Sequence, residues 1–185
     1  MKRRDFVILV TPDDRAIGHA EKMRAHMLGL LHRAVSVFVF DKDHRLLLQR
    51  RAAGKYHSPG RWSNTCCTHP WPGESATAAA HRRLIEEMGL RCPLTEVFDF
   101  TYHASLDCGL VEHEVDHVFA GRFDGNPVPN ADEVDGWRWE SLDDVCDDVA
   151  QRPERYSAWF APALHALMAH DQRRSVSIRL ASRTE

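Results

Sequence analysis

The sequence predicts an α/β domain in which short strands alternate with a few helices. Three observations carry that prediction. β-Branched, apolar runs recur at Asp5–Val10 (DFVILV) and Ala34–Phe40 (AVSVFVF), the composition of buried strands. A helix-spaced segment at Ser75–Gly89 is bracketed by a capping serine and a terminating glycine. The 185 residues are 43% apolar and 28% charged, enough for one core with a wet surface, whereas two domains would each have a thin core. A single domain over residues 1–170 is expected, followed by a polar tail, 171–185, that is exposed and carries four arginines.

In order along the chain, Asp5–Val10 is the first strand and Ala34–Phe40 the second. Asp41-Lys42-Asp43-His44 is a polar turn, after which Arg45–Gln49 returns as a hairpin partner. Arg50–Glu74 then holds Gly54, Pro59, Gly60, Pro70, Pro72 and Gly73; an irregular stretch of that length marks a functional loop more than a linker. In Ser75–Gly89, Ala80, Leu84 and Met88 repeat at i+4 and form a stripe to be buried. Strands follow at Glu96–Tyr102, Val111–Gly121 and Val134–Trp139. Ser141, with Asp144 three residues on, opens another helix, and Ala158–His170 is the last.

Composition excludes several function classes. Twenty-four Lys and Arg against 27 Asp and Glu give a formal charge of -3, unlike a dedicated nucleic-acid binder. No run approaches the roughly 18 apolar residues of a membrane span, and Met1–Asp5 leads into no long apolar segment of the kind a secretory signal needs. Five cysteines, an odd count without a CxxC pair, point to a reducing cytoplasm rather than a disulfide scaffold.

Several groups have chemical potential. In VEHEVDHVF (Val111–Phe119), a period of two puts Glu112, Glu114 and Asp116 on one face. That face is either solvated or, with a histidine among the twelve in the chain, a metal site. Arg83 and Glu87 lie one turn apart, as an ordinary ion pair or as parts of a site. Lys22, Arg50, Arg51, Lys55, Arg61 and Arg83 are surface charge or a grip for a phosphorylated substrate. Cys67 lies in the most irregular part of the chain, as a structural thiol or as a nucleophile or proton donor.

The run Ser58–Glu74, SPGRWSNTCCTHPWPGE, resembles the signature of type I isopentenyl-diphosphate delta-isomerases, with their W-[ST]-N-x-x-C-x-H-P-like core. Gly18–His26, Arg50-Arg51, Lys55, Arg82–Gly89, Tyr102, Gly109–Val115 and Tyr156–Trp159 continue the match in order over about residues 5–160. These isomerases belong to the Nudix superfamily, so the resemblance implies a mixed β-sheet between helices. In its box, Glu74, Arg82, Leu84, Glu86, Glu87, Gly89 and Leu90 fall in register. Thr68 stands where the box begins with glycine, which leaves the local backbone open. Arg83 replaces a glutamate, as in the isomerases and unlike the pyrophosphohydrolases.

Residue by residue, the resemblance implies two metal sites. His26, His32, His69, Glu112 and Glu114 match a divalent-ion shell for Mn²⁺, Zn²⁺ or Mg²⁺. Glu87 and the Cys67 carbonyl match a site for Mg²⁺ that arrives with the substrate. Lys22, Arg51, Lys55 and Arg83 match diphosphate-binding residues. Cys67 and Glu114 match the acid/base pair on opposite faces of the allylic unit, Tyr102 supports Glu114, and Trp159 matches the aromatic face over the carbocation. The implied reaction is a 1,3-allylic proton shift between isopentenyl and dimethylallyl diphosphate, feeding isoprenoid biosynthesis. The alternatives are a Nudix pyrophosphohydrolase acting on nucleoside diphosphate derivatives and a metal-binding domain without catalysis. Nothing in the sequence specifies an oligomer.

Overall fold

A strand that is apolar on both faces needs cover on both, and that requirement organises this molecule. The computed structural model describes residues 2–55, 57–106 and 109–181, with side chains through 171. Its central strand is β3, His32–Phe40. Val35, Val37 and Val39 point into one core cluster and Phe38 into another, as the period of two requires. The elements around it are β1 (Phe6–Val10), β2 (Ala16–Glu21), α1 (Lys22–Leu28), β4 (Leu46–Arg51), β5 (Trp62–Ser63), β6 (Cys66–Thr68), α2 (Ala76–Met88), β7 (Leu94–Ser105), β8 (Val111–Arg122), β9 (Val134–Glu140), α3 (Leu142–Gln151) and α4 (Phe160–Ala181).

The strands form one mixed sheet. β8 runs parallel to β3 over its whole length, His32 opposite Glu114 through Phe40 opposite Arg122. β6 lies antiparallel along the other edge of β3, with Ser36 opposite Cys67. β7 extends the sheet beyond β8, β9 pairs with β4, and β2 with β1. α2 packs on one face through Ala79, Ala80, Leu84 and Met88. α3 and α4 pack on the other through Val145, Val149, Phe160 and Leu164. The mixed sheet between helices is thus present.

The expected caps are in place. The Ser75 side chain accepts from the Ala78 amide at 3.1 Å, and Ser141 from the Asp144 amide at 3.1 Å, each satisfying an otherwise orphaned amide. α2 ends at Gly89 in the left-handed region, φ 63°; a Cβ there would lie 2.1 Å from the Val128 carbonyl oxygen. Thr68 sits in β6 paired with Val35, extended backbone that does not call for the box glycine.

Four sequence expectations need correction. β2 and α1 were not anticipated: β2 is mostly exposed and lacks an apolar run, and α1 has only seven residues. The signal for α1 was Glu21, whose carboxylate accepts from the Met23 and Arg24 amides. The irregular stretch contains β5 and β6. β3 and β4 pair only at Phe40 and Leu46, because β6 occupies the edge of β3 beyond the turn. The Thr65 hydroxyl bridges the parted strands, donating to the Leu47 carbonyl at 2.8 Å and accepting from the Val39 amide at 2.9 Å. Finally, the last helix starts at Phe160 rather than Ala158 and runs past the expected end at His170 through Ala181; residues 182–185 lie outside the described ones.

Candidate active site

A cavity of about 530 Å³ opens against β3, β6 and β8. On β8, alternation turns Glu112, Glu114 and Asp116 to one side, and all three are buried, so the solvated-face reading is wrong. α1 carries His26 onto this face, β3 begins with His32, and His69 follows β6. One ligand atom from each of His26, His32, His69, Glu112 and Glu114 falls within 4.8 Å of all the others.

The surroundings aim these atoms inward. Nδ1 of His26 lies 2.7 Å from the Lys22 carbonyl, and Nδ1 of His32 2.7 Å from the Leu30 carbonyl. A carbonyl only accepts, so both Nδ1 atoms carry a proton and each ring turns its Nε2, the atom that bears the lone pair in the neutral form, toward the carboxylates. Nε2 of His32 is 3.2 Å from Nε2 of His69, which is 2.8 Å from Glu114 Oε1. Burial, reinforced by His32, pushes His69 well below the ordinary imidazole range, which keeps it a neutral ligand. His26 Nε2 and Glu112 Oε2 are buried 3.1 Å apart, and neither has a well-formed hydrogen bond among the described residues. Such orphaned atoms in a ring of imidazole and carboxylate donors fit a divalent cation, with the backbone carbonyls as outer supports.

Beside this cluster lie the groups able to move a proton. The Cys67 thiol donates to Asn64 Oδ1 at 3.0 Å and touches the Ser36 hydroxyl at 3.6 Å. Asn64 is fixed in turn by donating to the Val37 and Cys66 carbonyls. Burial, then the nearby Asp116 charge, push the thiol up, so it holds its proton. Ser36 also donates to Asp116 at 2.7 Å. The Tyr102 hydroxyl donates to Glu114 Oε2 at 2.6 Å. Burial alone would raise the Glu114 carboxyl, but its neighbours, His32 foremost and the Tyr102 hydroxyl among them, outweigh it and hold the group low. Trp159 lines the same cavity, 5% exposed, with the Arg51 guanidinium 5.0 Å from its ring centroid. Edge-on to that ring is His57, which burial and Arg51 lower to about 3.

Of the six basic residues singled out, Lys22, Arg51, Lys55 and Arg83 line the cavity and Arg50 and Arg61 do not. Arg83 pairs with Glu87 at 2.5 Å, so the ordinary ion pair and the site coexist. Glu87 also accepts from Gln49 Nε2 at 2.6 Å. Sequence reasoning missed Ser36, Asn64, His57 and Glu133. Asn64 stood inside the quoted motif; the other three had no signal.

A NUDIX domain model matches residues 30–160. Isopentenyl-diphosphate Delta-isomerase 2 of Aromatoleum aromaticum is 55% identical over 165 residues, covering 89% of this chain and 87% of that one. The chain belongs to the isopentenyl-diphosphate Delta-isomerases, within the NUDIX proteins. The isomerase of Serratia proteamaculans is 47% identical over 170 residues, 92% of this chain and 95% of that one. Among solved structures, DR0079 of Deinococcus radiodurans superposes with a TM-score of 0.75 at 18% identity, covering 87% of this chain and 98% of its own. The MutT protein of Methanosarcina mazei gives 0.62 at 16% identity, covering 78% and 95%. At such identities the likeness concerns the fold; the isomerase family rests on the sequence relatives.

Proposed function

We propose that this chain interconverts isopentenyl and dimethylallyl diphosphate by adding a proton at C4 and removing one at C2. The observation that carries the reading is the pairing, in one cavity, of a protonated thiol at Cys67 with a Tyr102-supported carboxylate at Glu114. An unactivated alkene is a poor base, so it needs a positioned acid on one side and a base on the other. The reaction is reversible, and each group gives a proton in one direction and takes it in the other.

Lys22, Arg51, Lys55 and Arg83 are assigned to the diphosphate, the arginines through their forked donors and the lysines as point charges. Binding energy from that remote group fixes the allylic carbons between Cys67 and Glu114. Trp159 closes the cavity around the tertiary cation, excludes water and offers its π-face. Asn64 and Ser36 hold the Cys67 sulfur in place, and Tyr102 holds Glu114. His26, His32, His69, Glu112 and Glu114 would hold a divalent ion, Mn²⁺, Zn²⁺ or Mg²⁺, and Glu87 with the Cys67 carbonyl a Mg²⁺ that accompanies the diphosphate. Such ions supply charge neutralisation and fix the carboxylates. The described cysteines are all free, which supports a reducing, cytoplasmic setting.

The deciding experiment incubates the protein with isopentenyl diphosphate and Mg²⁺ and measures acid-labile allylic product alongside free phosphate. Product without phosphate is the expected result. Phosphate without allylic product would instead support a pyrophosphohydrolase, the reading that Arg83 opposes by pairing with the box carboxylates Glu86 and Glu87.

A further inference from the structure

Lys55 and Arg83 both reach the same carboxylate oxygen, Oε2 of Glu133. The Arg83 Nη2 contact is 2.6 Å, and the Lys55 ammonium is in direct contact. One anionic oxygen shared by an ammonium and a guanidinium is the arrangement that a phosphate oxygen makes with the same two side chains. All three residues line the cavity.

We propose that Glu133 is a built-in counter-anion: its carboxylate holds the anion position between Lys55 and Arg83 until a diphosphate displaces it. The inference rests on the diphosphate reading given above and assigns Glu133 the task of setting how strongly an anion must compete to enter.

The side chain is presented by fixed backbone. The Glu133 amide donates to the Asn130 carbonyl at 2.9 Å, and its own carbonyl accepts from the Ala52 amide at 3.0 Å. It immediately precedes Val134, which opens β9 and is buried. Arg83 has two other carboxylates within its own helix, Glu86 at 3.1 Å and Glu87 at 2.5 Å, so Glu133 is not required to satisfy that guanidinium. Burial works against ionisation of Glu133, but the Lys55 and Arg83 contacts outweigh it and keep the group charged.

Lys22, Arg51, Lys55 and Arg83 line one cavity together with Arg4 and Arg82 and repel each other at low effective dielectric; the Glu133 carboxylate offsets part of that repulsion. A ligand that brings one weak negative charge offers these cations little that Glu133 does not already supply. A diphosphate offers more charge and more acceptor oxygens, reaches Lys22 and Arg51 as well, and displaces the carboxylate at a cost to every anion that binds. Glu133 therefore sets, through competition, the affinity threshold that any entering anion must meet.

The test is calorimetric titration of the full chain with inorganic diphosphate and inorganic phosphate, in the presence of Mg²⁺, using the parent, Glu133→Gln, Glu133→Asp and Lys55→Met. Glu133→Gln should bind both anions at least fivefold more tightly than the parent. Glu133→Asp keeps the charge on a shorter stem that cannot bridge both cations, so it should fall between the two and keeps the test informative if the amide variant does not fold. Unchanged or weaker binding in both Glu133 variants would make the carboxylate a support for Lys55 and Arg83 and overturn the inference. Should the parent and Lys55→Met bind diphosphate equally, the diphosphate reading itself fails and the inference with it. Loss in Lys55→Met without a gain in the Glu133 variants removes only the counter-anion role.

Discussion

At the scale of single residues, Trp159 separates shielding from electrostatics. If its ring stabilises positive charge at C3, the benefit is confined to the transition state. Trp159→Phe keeps a π-face and should retain measurable activity, whereas Trp159→Leu keeps bulk without the quadrupole and should lose about 2 kcal/mol, roughly thirtyfold in kcat. Steady-state kinetics with KM near the parent value checks this, and equal kcat in all three proteins would reduce Trp159 to packing. Cys67→Ala should lower turnover by about 10²–10⁴-fold, as expected for a lost proton-transfer group, with little change in thermal midpoint. Near-parent turnover would make Cys67 a structural thiol. Cys67 and the paired glutamates stand out by type and pattern, whereas Trp159, and a role for any of them, came only with the family resemblance; the fold sets them around one cavity. Ser36 and Glu133 do not stand out: a serine within a buried apolar strand and a glutamate before β9 acquire meaning only from what the fold sets against them.

Elements show the same division between local and long-range information. α2 was legible to the residue because its cap, stripe and terminator are all local: Ser75, Leu84 and Gly89 each do what their position requires. Gly89→Ala should cost at least the roughly 1–2 kcal/mol of a left-handed alanine, plus displacement of the segment at Val128, read as a lowered denaturant midpoint at unchanged slope. Leu84→Ala, which opens a cavity beneath the helix, should cost about 2–5 kcal/mol. By contrast, β2 lacks a local signature and α1 has little beyond its Glu21 cap. Their places are set by pairing with β1 and by His26 reaching β8, and long-range partners leave no periodicity in the sequence. The split of β3 from β4 is of the same kind, since it depends on β6 arriving from the far end of a loop.

For the whole molecule, charge and metal dominate the response to pH. Burial alone would raise the carboxyls of Asp41, Glu74 and Asp148. Hydrogen bonds from Arg45, Arg82 and Tyr156 respectively outweigh it and hold each below its ordinary value. As pH falls below about 4, the unfolded chain takes up these protons before the native one does, so stability is retained above that range and lost beneath it. Denaturant midpoints measured from pH 6 down to 3 should trace that decline. A bound divalent ion requires neutral imidazoles, so metal content should also fall with pH. Elemental analysis of His26→Ala/His69→Ala should show the ion depleted; undiminished metal would contradict the assignment of ligands.

The five clustered ligands come from α1, the start of β3, the residue after β6, and β8. An ion held there is a cross-link that ties together segments remote along the chain, and it removes freedom from the loosened ensemble much as a disulfide would. Its tether matters most to the part with least packing of its own, the exposed β2 strand and the short α1 helix at the sheet's edge. Stripping the ion should therefore unpin this N-terminal flap while β3 and β8 remain paired, and amide exchange would report the difference as early labelling of residues 16–28 against a protected centre.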